Sequence, residues 1–236
     1  MPPPPGSLRL EVYPFAKTTT RNPCDLQKFI SLDDFQQGAK QVLPKALYEY
    51  LASGTEDEQT LHENRLAFKR ILLRPRVMRN LRGLDISVSL LNGRCRSRMP
   101  VLISPAGSII TLSMPIHTAS AFKDWSTRNN QMTDPCMHAG VHCLVDPEGE
   151  VTTARAAMNQ GIVMGYSQHS TRTIEDVAEA AKASPNYQPS LLWYQLYILK
   201  DRRLTEQLVQ RAEAAGFGAI VLTVDSIRFG FREADW

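Results

Sequence analysis

Four polar residues stand near the ends of two apolar runs in the C-terminal quarter of the chain. Leu191 to Leu199 is an apolar and aromatic run of strand length that carries Gln195 and Tyr197. Ala219 to Val224 is a second run, carrying Thr223 and closed by Asp225 and Ser226. Gln195 and Tyr197 alternate along one strand, so both side chains point the same way. A carboxamide can donate and accept, a phenol can donate to a carboxylate, and an acid can orient an imidazole base. The same polar pair could equally satisfy neighbouring backbone groups. Cys136, His138, His142 and Cys143, in CMHAGVHC, offer atom types that zinc accepts. Their spacing is not that of a CxxC knuckle, and adjacent His142 and Cys143 converge poorly on one ion. They read as scattered side chains of an irregular loop, and no metal is expected.

The elements that position the first group form a βαβ unit. Asp201 is a fair N-cap, and Leu204, Leu208, Val209 and Ala212 share one helix face. Gly216 supplies the left-handed stop before the second strand. Both strands read as buried on both faces, the mark of a parallel sheet. In such proteins ligands sit at the carboxyl ends of the strands.

Composition narrows the field. The chain has 236 residues, 43% hydrophobic and 22% charged, ordinary values for a globular protein. A net charge of +3 is far from the dense basic face of a nucleic-acid binder, so no nucleic acid is expected. No run approaches the roughly eighteen apolar residues of a membrane span, so no membrane is expected either. The opening MPPPPGSLRLEVYPF lacks the charge pattern of a secretory leader and reads, over residues 1–30, as an extended tail. Cys24, Cys95, Cys136 and Cys143 are few and irregularly spaced, which suggests a reducing compartment. A cytoplasmic location is expected, with peroxisome or mitochondrion as alternatives.

Along the chain, residues 31–236 read as one domain. Ser31 and Asp34 offer a capping box for a helix carrying Phe35, Ala39, Val42 and Leu43. Pro44 starts a second helix that carries Tyr50 and stops at Gly54. Thr55 with Glu56, Asp57 and Glu58 predicts the start of a third, running to Arg70. Residues 85–100 predict a hairpin with Asn92-Gly93 as a type I′ turn. Core strands are expected at Val101–Ser104, Ile162–Ser167, Leu191–Tyr197 and Ala219–Val224. Helices are expected between the later ones at Glu150–Gln160, Thr173–Ala183 and Leu204–Ala215. Residues 109–147 break the rhythm and read as an irregular insert. No glycine-rich phosphate loop follows the first core strand.

Five stretches then carry a resemblance: 43–81 (LPKALYEYLASGTEDEQTLHENRLAFKRILLRPRVMRNL), 99–107 (MPVLISPAG), 146–157 (DPEGEVTTARAA), 193–202 (WYQLYILKDR) and 212–235. In that order they are similar to the FMN-dependent α-hydroxy-acid dehydrogenase and oxidase family. The resemblance implies an α/β fold of the TIM-barrel (β/α)8 family, here an incomplete barrel of about four β/α units behind an N-terminal helical segment. It implies FMN as cofactor and a small 2-hydroxy acid as substrate, oxidised to a 2-oxo acid.

Residue by residue, Tyr50 matches a tyrosine that binds the substrate carboxylate. Pro105, Ala106 and Gly107 match the loop whose backbone faces the flavin, with Ala106-Gly107 departing from the usual Thr-Ala. Ser167 matches a flavin-contacting serine, Gln195 the glutamine on the flavin pyrimidine, and Thr223 a threonine bonded to the ring. Tyr197 matches the active-site tyrosine and Asp225 the acid that orients the catalytic histidine. Gln168 and His169 depart from the pattern, so His169 reads as a polar rim residue. Arg232 matches an arginine region at the lip of the site. The family's histidine, lysine, carboxylate-clamping arginine and phosphate-binding region follow Asp235 in family order. The expectation is a first half, its function incomplete, with an inactive or partner-dependent chain as the alternative and self-association through open barrel edges.

Overall fold

The computed structural model describes residues 29–106, 142, 146, 148–225 and 231. The expected tail up to residue 28 and nearly all of the insert 109–147 lie outside the described residues. Two compact units divide the chain. One includes residues 89–109 and 138–222, the other residues 23–88 and 223–236.

The first unit is built on four parallel strands: β3 (Leu102–Ile103), β4 (Val163–Tyr166), β5 (Leu192–Leu196) and β6 (Ala219–Leu222), in spatial order β3-β4-β5-β6. Register is fixed by Leu102 beside Val163, Met164 beside Leu192, and Tyr194 beside Ile220. Parallel neighbours need crossovers. Helices α4 (Glu150–Gln160), α5 (Ile174–Lys182) and α6 (Arg202–Ala215) precede β4, β5 and β6 in turn. The expected boundaries hold closely because each helix carries a start cap, a glycine stop or both. Gly161 (φ 66°) and Gly216 (φ 93°) close α4 and α6 in the left-handed region that glycine tolerates. Thr173 and Asp201 open α5 and α6 by accepting from the N–H of Asp176 and Arg203.

The core joins the buried faces of α4, α5 and α6 to the two central strands: Met158, Val177, Ala181 and Ala212 meet Val163, Met164, Leu192 and Tyr194. Burying each such Val, Leu or Met side chain contributes roughly 1.5–3 kcal/mol relative to exposure. Close approach tightens the sheet in two places. A Cβ on Gly165 would lie 2.7 Å from Pro105 Cδ, and one on Gly218 would lie 2.6 Å from both Pro189 O and Ser190 Cα.

One expectation fails here. β4 is buried throughout, but β6 is not buried on both faces: Ile220 is 40% and Leu222 45% exposed. β6 lies at the edge of the described sheet, with β5 on one side only. An apolar run signals strand propensity, whereas burial depends on the neighbours supplied.

Hairpin strands β1 (Val88–Leu90) and β2 (Cys95–Ser97) pair as expected. The turn is wider than the two-residue type I′ form. Leu91, Asn92 and Gly93 all take positive φ, and Gly93 and Arg94 N–H donate to Leu90 and Leu91 O.

The second unit holds α1 (Leu32–Val42), α2 (Lys45–Ala52) and α3 (Gln59–Arg70). The Ser31–Asp34 capping box forms as read. Pro44 is the residue before α2 rather than inside its first turn. The start of α3 is also displaced: Thr55 to Glu58 form a turn, and Glu58, at φ 54°, is the N-cap. Those acids act on the turn instead of the helix, since Glu58 Oε1 accepts from Gly54 N–H at 2.8 Å. Glu56 holds residue 231 at two points: its N–H donates to Phe231 O, and its carboxylate accepts from Phe231 N–H.

Candidate functional site

At the carboxyl ends of β4 and β5 the chain gathers a polar cluster over an apolar core. Ser167 and Gln195 are both only 4% exposed. Ser167 Oγ donates to Gln195 Oε1 at 3.3 Å, and Gln168 N–H donates to the same oxygen at 3.2 Å. His169 N–H donates to Ser167 Oγ at 3.1 Å. Gln168 returns across the sheet, its Oε1 accepting from Tyr197 N–H at 2.6 Å. The His169 and Tyr197 rings stack with centroids 5.0 Å apart. The β4 end, its following loop and the β5 end are thus laced together by side chains.

Local sequence explains each position. Ser167 directly follows β4 and Gln195 sits in β5, and both are buried, where a polar group persists only if hydrogen-bonded. Gln195 lies within β5, while Tyr197 lies one residue beyond its end, half-buried, where the stack with His169 holds its ring. The loop after β4 is anchored at its far side by Glu150, a carboxylate only 1% exposed in the first turn of α4. Tyr166 Oη also donates to Arg172 O, at 2.7 Å, and burial drives its phenol well above the ordinary range.

Of the expected site residues, Ser167, Gln195 and Tyr197 are brought together. Pro105 follows β3 and packs over Gly165 of β4, half-buried; Ala106 next to it is exposed. Gly107 and Arg232 lie outside the described residues, as do Cys136, His138 and Cys143. Tyr50 belongs to the second unit, half-buried on α2. Thr223, half-buried, and Asp225, exposed, continue the chain from β6 and also belong to that unit.

Three residues with parts in the cluster were not assigned from sequence. Gln168 and His169 read only as departures from a motif, yet they bridge the two strand ends. Ser170 Oγ is buried and has no hydrogen-bond partner among the described residues. No local signal marks the roles of Gln168 and His169, because each depends on a residue some 27 to 29 positions away.

The family model for FMN-dependent dehydrogenase matches residues 39–127 and 129–236. This chain is a member of the FMN-dependent dehydrogenase family. Among its relatives, glycolate oxidase 5 of Oryza sativa subsp. japonica is 38% identical over 205 residues, covering 87% of this chain and 44% of the relative. The peroxisomal (S)-2-hydroxyacid oxidase of Arabidopsis thaliana is 37% identical over 210 residues, covering 89% and 46%. In structure, the lactate oxidase of Pediococcus acidilactici superposes with a TM-score of 0.66 at 26% identity, covering 88% of this chain and 46% of that one. The chain spans less than half the length of these relatives.

Membership settles the fold class as the (β/α)8 family, and the four parallel strands form part of such a barrel. It also implies FMN as the cofactor. The residues present fit that group. A buried carboxamide, a serine hydroxyl and the orphaned Ser170 Oγ supply polar atoms of the kind a flavin pyrimidine edge pairs with. Among the described residues no helix is long and apolar enough to cross a membrane.

Proposed function

We propose that this FMN-dependent dehydrogenase family member serves the oxidation of a small (S)-2-hydroxy acid to a 2-oxo acid. The observation that carries the reading is the buried Ser167–Gln195 pair, joined by half-buried Gln168, at the carboxyl ends of β4 and β5. In this reading Gln195 and Ser167 hold the pyrimidine edge of the flavin, with Pro105, Ala106, Gly107 and Thr223 lining the ring. FMN, when bound, supplies the acceptor for the hydride equivalent that leaves the hydroxyl-bearing carbon. Tyr197 and Tyr50 donate their hydroxyls to the substrate, Tyr50 to its carboxylate. Asp225 orients the base that takes the hydroxyl proton. The Arabidopsis relative, named as peroxisomal, supports the peroxisome as an alternative to the cytoplasm.

A second reading is an inactive or partner-dependent chain, and it draws on the span of the match, less than half of each relative. β3 and β6 each have a strand partner on one side only among the described residues, which supports self-association through those edges.

Titrating the purified chain with FMN, while following flavin fluorescence and turnover of short 2-hydroxy acids, tests both. Saturable binding with turnover that Tyr197→Phe lowers supports the first reading. Binding without turnover selects the second. No saturable binding removes the flavin site itself.

A further inference from the structure

Glu150 is a carboxylate buried to 1% exposure, in the first turn of α4, and among the described residues it makes no ion pair. Three donors converge on it from one short loop. Thr171 N–H reaches Oε1 at 3.0 Å, while Thr171 Oγ1 and Arg172 N–H reach Oε2 at 2.6 and 3.0 Å. Arg172 Nε adds a bond to Glu148 O at 3.1 Å, so the turn ahead of α4 and the loop after β4 are tied at two adjacent residues.

The other end of that loop carries the cluster. Ser167, Gln168 and His169 lie two to four residues before Thr171, and Ser170 N–H donates to Ser167 O at 3.1 Å. The path is short and polar throughout: Glu150, Thr171, then the loop backbone, then Gln168 and Ser167 on Gln195. Carboxylate oxygens accept hydrogen bonds without donating. That is the required chemistry, since all three groups facing it can donate and two of them can do nothing else.

We infer that Glu150 is a positioning residue: its carboxylate fixes the 167–172 loop so that Ser167, Gln168 and His169 meet Gln195 and Tyr197 in the arrangement that receives the flavin. The inference rests on the flavin reading above for its consequence, but not for the contact itself. Glu150→Gln keeps the size and removes one acceptor oxygen. With the amide oxygen at the Oε1 position, the NH2 faces Arg172 N–H; with the groups exchanged, it faces Thr171 N–H. One backbone donor is stranded either way.

The test compares the full chain with its Glu150→Gln variant by residue-resolved amide hydrogen exchange, then by FMN titration. Amides of residues 168–172 are expected to exchange about ten-fold faster or more in the variant, with Met164 and Tyr194 in the core strands unchanged. FMN affinity is expected to fall by about ten-fold alongside. Unchanged loop protection overturns the inference. So does equal loosening of loop and core, or failure of the variant to fold, because the carboxylate then supports the whole unit. A freed loop with unaltered FMN affinity also overturns it. If the unmodified chain binds no FMN, the flavin reading fails, and the exchange data still decide whether Glu150 holds the loop.

Discussion

Ser167 and Gln195 meet across the boundary between β4 and β5, Ser167 Oγ donating to Gln195 Oε1 at 3.3 Å over 28 residues of sequence. This pair joins two strand ends by side chains where the backbone ladder stops. The last β4–β5 partners in the ladder are Tyr166 and Tyr194, one residue before each. Polar residues here extend the sheet's connectivity into the loop that follows.

Replacing Gln195 by Leu keeps the approximate volume and withdraws the acceptor shared by Ser167 Oγ and Gln168 N–H. Stranding a buried donor costs about 1–3 kcal/mol, so urea unfolding should register a loss of that order. FMN affinity should fall with it. A variant as stable as the original would show that Gln195 is not the hub of the cluster.

Gly165→Ala should disturb the β3 end without removing any hydrogen-bonding side chain. The new methyl would meet Pro105 Cδ at 2.7 Å and Pro105 N at 3.0 Å, and backbone yields less readily than a flexible side chain. Overpacking of this kind costs about 1–3 kcal/mol. FMN titration should also show weaker binding, since Pro105 opens the loop assigned to the ring. Unaltered affinity would detach Pro105 from the site.

Arg211 and Glu175 join α6 to α5 through two hydrogen bonds, from Nε at 2.9 Å and from an Nη at 2.8 Å. The guanidinium bonds hold the Glu175 carboxyl below its usual range. With the folded value depressed, the contribution is complete above the unfolded value of about 4.3 and is lost as pH falls through the folded one. Both side chains are about half exposed, so the pair contributes at most about 1 kcal/mol. Arg211→Gln should therefore cost that much or less near neutrality, and its deficit should vanish in strong acid. A deficit independent of pH would point to lost packing of the arginine stem.

Tyr194 lies under the same helices, and burial pushes its phenol up to about 12. A raised folded value means the neutral form is the one stabilised. That stability is complete below the unfolded value of about 10 and is lost as pH rises through about 12. Denaturation curves across that range should be steeper in pH for the unmodified chain than for Tyr194→Phe. Equal slopes would mean the phenol reaches water in the folded state.

What the sequence determined by itself was local. Ser31, Thr173 and Asp201 open helices because each carries its own acceptor, and Gly161 and Gly216 close them because only glycine enters the left-handed region freely. Apolar runs at Ile162, Leu191 and Ala219, about 28 residues apart, set the parallel β/α order, and five ordered motifs carried the family. The tertiary structure decided what depended on distant partners. The start of α3 moved past its acids because Glu58 was used to cap Gly54 N–H. β6 stayed half-exposed because burial of a strand comes from its neighbours and not from its own residues. Glu150 reads in sequence as an ordinary first-turn acid, and Gln168 and His169 as departures from a motif. Only folding brings Thr171 and Arg172 onto that carboxylate, and Tyr197 onto Gln168 and His169, across some twenty to thirty residues of chain. Spacing along a chain can specify a helix cap, but a hydrogen bond between two strand ends exists only once the sheet has set their register.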